Sequence, residues 1–386
     1  MRKAILICCI MLTAALLCGT AAAEDRVFTD SLGREVMIPA EVHNVAPSGS
    51  LAQISLYPFG EEFYVSLAKT LKEGEQYFLA DRLDTLPITG NMFNSKATMN
   101  PEELIALDKR IGIDLILDIG ETKGNVKEQI EDVQKKTDIP FIFITQSTLD
   151  TIADSYILMG EVLGQEEKGK ELADYFGGIV SMYEENMETI GDNKVSAIYV
   201  TKVDGNSVNL LGKGSYHAEI LDGIADNIAP EAVAGSGLGD QYTMEDIFQM
   251  NPDYIIVSGS GFFEHDYYEE IMGSSMWASL DAVKEGRVIE VPADSPWPWM
   301  GNPPAAQRLV SIIWLGNIFY PDVFDYDLTE EVREFYQVFY HYDLSDEEIA
   351  GMMQYSTGNA EQTAASPAPI LGVIAGLGLA AVLRRR

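Results

Sequence analysis

Between Glu166 and Ile190 the chain contains no proline, and Leu172, Tyr175, Phe176, Ile179, Met182 and Tyr183 recur at spacings of three and four. That is the period of a helix with one apolar stripe. At ~1.5 Å per residue such a helix is about 37 Å long, more than one lobe needs and enough to run between two. Gly164 closes the preceding helical stretch, and Gly191-Asp192-Asn193 closes this one.

On either side of it, short β-branched runs alternate with longer helical stretches. Asp114 to Asp118, Phe141 to Thr145, Val195 to Val200, Tyr254 to Ser258 and Val288 to Val291 are brief and apolar, as buried strands are. Pro101 to Leu107, Thr148 to Leu163 and Met244 to Met250 read as the intervening helices. This succession predicts an α/β fold: two lobes, each with a central mostly parallel sheet flanked by helices, joined by one long interdomain helix. The expected boundaries are 24–165 for the first lobe, 166–190 for the linking helix and 194–350 for the second lobe.

The ends point outside the cell. Arg2 and Lys3, the apolar run Ala4 to Leu17 and the small residues Ala21-Ala22-Ala23 read as a secretory signal peptide over 1–23. Cys8, Cys9 and Cys18 all fall within it, so the mature chain holds no cysteine for disulfides, thiol catalysis or metal binding. Residues 352–369 are rich in Ser, Thr, Gly, Ala, Gln and Pro, the composition of a flexible tether. A membrane anchor or sorting tail over 370–386 follows: an apolar run from Ile370 to Leu383, then three arginines that hold the end on the cytoplasmic side. With Pro367-Ala368-Pro369 before it, this end resembles the C-terminal tails of archaeal surface proteins. Twenty-six basic against sixty acidic side chains give a formal charge of −34, which repels phosphate backbones and argues against a nucleic-acid partner.

The globular part carries a series of blocks: VFTDSLGREVMIP from Val27 to Pro39, HNVAPSGSLAQI, TMNPEELIAL, the helix pair from Thr148 to Ile190, and YTMEDIFQMNPDYIIVSG. In this order they resemble the helical-backbone (class III) periplasmic binding proteins of ABC transporters for iron–siderophore complexes, haem and cobalamin. The resemblance covers nearly all of the mature globular part. It implies a monomeric receptor that captures a small-molecule metal complex and hands it to an ABC permease and its ATPase, with no cofactor of its own. It also implies one glutamate per lobe for docking to permease arginines, Glu102 and Glu245 by motif position. Carboxylates in a first helical turn also offset the helix dipole, by about 0.3–1 kcal/mol, with no partner at all. Eight positions separate Glu245 from Asp253, whereas twelve separate Glu102 from Asp114. Lys109-Arg110-Ile111-Gly112 thus reads as an insertion that lengthens a loop.

The ligand is expected between the lobes, against loops at strand ends. In the first lobe these hold Ser48, Gly49, Ser50, Asn91, Met92 and residues 118–121. In the second they hold Lys213, Tyr216, His217, Tyr242, Ser258 to Gly261 and Asp294 to Met300. Gly- and Ser-rich loops at helix starts expose N–H groups and suit an oxygen-rich or anionic ligand. Trp297 and Trp299, stiffened by prolines, are candidates for an aromatic wall and equally for the core. Four histidines, His43, His217, His265 and His341, are too few and too scattered for a three-imidazole bare-metal site. With no G-x-S-x-G, Walker loop or H-E-x-x-H, an enzyme is not expected, a secreted hydrolase being the rival from another class. An iron(III) chelate is the first expectation for the ligand. Cobalamin is second, and molybdate or tungstate third, with Lys213, Arg82 and Arg308 as charge partners for an oxyanion.

Overall fold

The computed structural model describes residues 24–92, 98–234, 237, 239–259, 267–293, 295–300 and 305–358. The expected signal peptide, the tether from residue 359 onward and the C-terminal tail lie outside the described residues, as do Asp294 and residues 260–261. Among the described residues, no helix is long and apolar enough to cross a membrane.

Strands β1 (Arg26–Thr29) and β2 (Glu35–Ile38) form the opening antiparallel hairpin. Its turn needs Gly33, at φ +70°. The Asp30 carboxylate accepts the N–H groups of Leu32 and Arg34, both at 3.0 Å, and pairs with the Arg34 guanidinium. Ser31 then donates its N–H to Phe143 O at 3.0 Å and accepts that of Thr145 on Oγ, also at 3.0 Å. The turn therefore lies along an outer strand and covers an edge that would otherwise be free to pair.

That strand belongs to a three-stranded parallel sheet ordered β3 (Val45–Pro47), β4 (Leu115–Gly120), β5 (Phe141–Thr145). Around it stand α1 (Ser50–Leu56), α2 (Glu73–Phe78), α3 (Pro101–Ile111), α4 (Val126–Thr137) and α5 (Leu149–Leu163). Helix α6 (Glu166–Ile190) leads out of this lobe. It begins in a close crossing with α5, where a β-carbon on Gly169 would lie 2.6 Å from Tyr156 O. Only glycine permits backbones that near.

The second sheet is mixed. β6 (Ser196–Asp204) pairs in parallel with β10 (Tyr254–Val257), which pairs in parallel with β11 (Val288–Glu290). The other edge of β6 carries two-residue β8 (Asp226–Asn227) in parallel, then the antiparallel strands β7 (Ser207–Leu210) and β9 (Asp240–Thr243). Its helices are α7 (Glu219–Ile224), α8 (Met244–Met250), α9 (Tyr267–Gly273) and α10 (Asp281–Lys284). The class is α/β, with parallel and mixed sheets flanked by helices.

Three expectations need correction. The extra residues after Glu102 add a turn to a helix rather than length to a loop: α3 continues to Ile111 and Gly112 ends it at φ +71°. The chain beyond Phe319 does not simply complete the second lobe. After α11 (Gln307–Phe319), helix α12 (Leu328–Tyr340) packs on the first lobe. The Phe339 ring lies 5.8 Å from that of Tyr156, the Tyr336 ring 5.7 Å from Phe78, and His341 Nε2 3.1 Å from Pro58 O. Finally, the segment after α13 (Asp346–Met352) is not free at its start. Glu290 donates its N–H to Tyr355 O at 2.8 Å and Trp314 Nε1 donates to Ser356 O at 2.8 Å, so the chain closes the β11 edge before any tether begins. Side chains of both lobes accordingly share one continuous hydrophobic core.

Candidate interlobe binding site

The ends of β3 and β4 bring most of the first-lobe candidates together. Ser48 is buried and its Oγ donates to Asp118 Oδ1. Met92 donates its N–H to Ser48 O at 2.7 Å, which pulls the 91–92 loop onto the same rim. A β-carbon on Gly49 would lie 3.7 Å from Asp118 Oδ1 and 4.0 Å from Asn91 Oδ1, and Ser50 opens α1 just beyond. Burial pushes the Asp118 carboxyl up to about 7, against the hydroxyl of Ser48 and the N–H of Ile119, which pull it down. Below about pH 7 the acid is thus held largely protonated among neutral donors.

The second lobe reaches this rim through the exit of β5. Tyr216 donates its hydroxyl to Gln146 O at 3.3 Å, and its ring lies under the Arg308 guanidinium at 5.0 Å. Arg308 Nη2 donates to Ser147 O at 3.1 Å, while its Nε lies 2.7 Å from Glu219 Oε2 with the N–H not aimed at that oxygen. Glu219 Oε1 in turn accepts the N–H of Leu149, the first residue of α5. Three second-lobe side chains therefore grip residues 146–149 of the first lobe. Beside them the His217 ring stands edge-on to Tyr216 at 5.5 Å.

Other candidates lie elsewhere. Trp297 and Trp299 are each 1% exposed and belong to the core: the Trp297 ring is tilted against Tyr340 at 5.5 Å, and Trp299 stands edge-on to Trp314 at 6.2 Å while donating Nε1 to Tyr336. Neither ring faces solvent. Lys213 pairs with Asp226 at 3.5 Å and lines a separate polar pocket of about 430 Å³ with Asp192, Lys194 and Asp222. Arg82 is spent on the carbonyls of Glu61 and Tyr64. Tyr242 is half-buried on β9 and packs against the second lobe's own core. Among the described residues, no group of three or more His, Cys, Asp or Glu is arranged to hold a metal ion.

Glu102 and Glu245 are exposed in the first turns of α3 and α8, the helices that precede β4 and β10. The aspartates that follow them share one structural task. Asp114 Oδ2 accepts the N–H groups of His43 and Asn44 at 2.8 Å, and Asp253 Oδ2 accepts that of Ser196 at 2.9 Å. Each ties the chain entering its neighbouring strand, so the repeated Glu-to-Asp block is the same supersecondary unit used twice.

Sequence reasoning missed a buried polar group beneath the rim. Gln146 Nε2 donates to Ser155 Oγ at 2.9 Å, and Ser55 Oγ donates to Gln146 Oε1 at 3.2 Å. Tyr156, Gln307 and Tyr340 lie alongside and are also buried. Isolated Gln and Tyr residues within helical stretches carry no spacing signal. Only the Pro- and Gly-rich run before Gln307 marked that loop–helix junction as special.

A family model described as "Periplasmic binding protein" matches residues 114–295. The molybdate-binding protein MolA of Haemophilus influenzae is 24% identical over 88% of this chain and 96% of its own length. Its structure with bound molybdate superposes with a TM-score of 0.61 at 20% identity, covering 83% of this chain and 99% of that one. An ABC transporter solute binding protein from Sulfurospirillum deleyianum gives 0.72 at 21% identity, over 85% and 99%. The triscatecholate siderophore binding protein FeuA of Bacillus subtilis gives 0.53 at 17%, over 79% and 99%. Two α/β lobes, a helical strut and a rim of strand ends thus amount to the fold of the solute-binding proteins of ABC transporters.

Proposed function

We propose that the chain is the extracytoplasmic solute-binding subunit of an ABC importer, acting by equilibrium capture and delivery with no covalent chemistry. The observation that carries this reading is the meeting of strand-end loops from two separate sheets. The Ser48–Asp118 rim of one lobe adjoins the β5 exit held by Tyr216 and Arg308 of the other. Such a junction offers converging polar groups to a small solute. Glu102 and Glu245 serve as docking carboxylates for the permease. A monomer held by its C-terminal tail outside the membrane completes the reading.

For the solute, an iron(III) chelate or cobalamin needs a broad, partly aromatic opening, and burial of Trp297 and Trp299 removes the walls expected for it. A molybdate-type oxyanion needs only a compact set of donors, and MolA matches nearly the whole chain. We therefore rank the oxyanion first and the iron(III) chelate second.

Purified protein warmed with molybdate, tungstate, ferric catecholate or cobalamin should show a saturable rise in melting temperature with one class and no turnover. Turnover of ester, glycoside or peptide substrates with no such rise would instead establish the hydrolase. Charge reversal at Glu102 and Glu245 together should leave solute affinity unchanged and abolish uptake. Loss of affinity in that variant would assign the two glutamates to the solute site.

A further inference from the structure

After α12 the chain makes its last passage from the first lobe to the second, and its two ends are fastened differently. On the first-lobe side one carboxylate gathers four hydrogen bonds. Tyr77 of α2 and Tyr342 donate their hydroxyls to Glu348 Oε1, at 2.8 and 2.6 Å. Ser345 donates its N–H and its hydroxyl to Glu348 Oε2, at 2.8 and 2.7 Å. The Tyr342 ring stands edge-on to Phe78 at 5.1 Å. Glu348 thus ties α13 both to α2 and to the chain leaving α12.

On the second-lobe side the attachment is backbone and stacked ring. Glu290 of β11 donates its N–H to Tyr355 O at 2.8 Å, and its carbonyl accepts the Ser356 hydroxyl at 2.6 Å. Trp314 Nε1 donates to Ser356 O at 2.8 Å, and the Tyr355 ring stacks on Tyr268 of α9 at 4.7 Å. Ser356 and Trp314 are both buried. Parting this end would strand buried donors and acceptors, whereas Tyr77, Tyr342 and Glu348 are only half-buried, so water can replace each partner in turn. The Glu348 knot is therefore the end that yields. Between the two ends, Ile349 and Met353 sit in the core that both lobes share, which α13 can fill only while the lobes stay close.

We propose that residues 342–356 form a strap across the lobe junction, fixed to β11 at one end and latched through Glu348 to Tyr77 and Tyr342 at the other, which limits how far the lobes part. Hydrogen bonds to a charged acceptor are roughly twice as strong as neutral ones, so the loss of two moves the balance between latched and released chains. The restraint goes beyond the receptor reading: it belongs to the empty chain and holds whatever the solute is.

Distances between spin labels, measured by pulsed electron resonance with no solute present, test the strap. Lys127 of α4 and Gln249 of α8 are exposed, one in each lobe. In the full chain with Cys8, Cys9 and Cys18 each changed to serine, Lys127→Cys and Gln249→Cys carry the labels. The latched chain should give one narrow distance distribution. Tyr77→Phe combined with Tyr342→Phe removes two hydroxyls and keeps both rings. It should raise a second, displaced population about tenfold or more, with circular dichroism unchanged. Glu348→Gln keeps the side-chain shape and should shift the distribution the same way by less, which provides the test should the double variant fold poorly. Hydrogen exchange over residues 346–352, followed by mass spectrometry on the same samples, reports whether the latch has opened. Faster exchange there with an unchanged distance distribution overturns the proposal, because a loose strap would then leave the lobes where they were. Unchanged exchange with unchanged distances overturns it as well, because the two hydroxyls would then hold nothing in place.

Discussion

Asp118 is a carboxyl group buried where its type seldom goes. It stands in the middle of a buried parallel sheet with the Ser48 hydroxyl as its side-chain partner, and burial raises its pKa from the ordinary 3.8 to about 7. The direction of the resulting pH effect follows from proton counting. Below about pH 4 the carboxyl is protonated in folded and unfolded chains alike, so it costs nothing. Between 4 and 7 the folded protein retains a proton that the unfolded chain releases, and stability falls across that window. Above 7 both states are ionised and the penalty is constant, on the order of 4 kcal/mol if the whole shift is expressed. Asp118→Asn keeps the shape and removes the charge. Its stability relative to wild type in urea melts should therefore climb from pH 4 to pH 7 and then level off. A difference that stays flat across that range would show that the carboxyl is not held neutral.

Among elements, the junction between α11 and the exit of β5 carries the most specific contacts. Arg308 meets Ser147 O, Glu219 and the Tyr216 ring at once, and Glu219 caps the start of α5. Arg308→Met retains much of the stem volume but leaves the Glu219 carboxylate, about a quarter exposed, without its cation. With solvent screening part of that loss, the cost should be about 2–3 kcal/mol. In a double-mutant cycle with Glu219→Gln, the pair of changes should cost clearly less than the sum of the singles. Strict additivity would mean that Arg308 holds the junction through Ser147 and Tyr216 alone. This junction also marks the limit of what sequence discloses. Helix Glu166–Ile190, strand Phe141–Thr145 and helix Met244–Met250 have the limits that their local apolar period and bounding glycines, prolines and asparagines predict. Which lobe a helix packs on is not a local property. Helix Leu328–Tyr340 has an amphipathic stripe that fits either lobe, and its aromatic row of Phe335, Tyr336, Phe339 and Tyr340 found Phe78, Tyr156 and Tyr175. Trp297 and Trp299 read alike as wall or core for the same reason, and the four residues after Asp108 read as loop because a longer helix leaves the same apolar pattern. The Ser48–Asn91–Met92 rim was legible because strand ends and Gly–Ser turns are local; the donors of Tyr156 and Gln307 were not, because only the third dimension brings them together.

At the scale of the whole molecule, the strut is not the only tie between lobes. The chain passes from first lobe to second through α6, returns as α12 to pack on Tyr156 and Phe78, and crosses again to close β11 with Tyr355 and Ser356. Side chains along all three passes belong to one core, in which Leu172 and Phe176 of α6 lie with Phe339 of α12 and Trp314 of α11. Opening the lobes widely would expose this shared surface at about 25 cal/mol per Å², a cost that favours a small hinge at the rims over a wide separation. The same sharing makes the lobes unfold together, although separate sheets in a chain this size commonly melt in steps. The four tryptophans supply the probe. Trp277, Trp297, Trp299 and Trp314 all lie after the strut, whereas far-ultraviolet circular dichroism reports helices of both lobes. Guanidinium denaturation followed by tryptophan emission and by circular dichroism should give coincident midpoints. Phe339→Ala, which removes a fully buried ring from the returning helix, should lower both midpoints together by a loss of about 3–5 kcal/mol. If instead emission and dichroism separate in the wild-type chain, the lobes are energetically independent and the small-hinge description gives way to two bodies on a rigid rod.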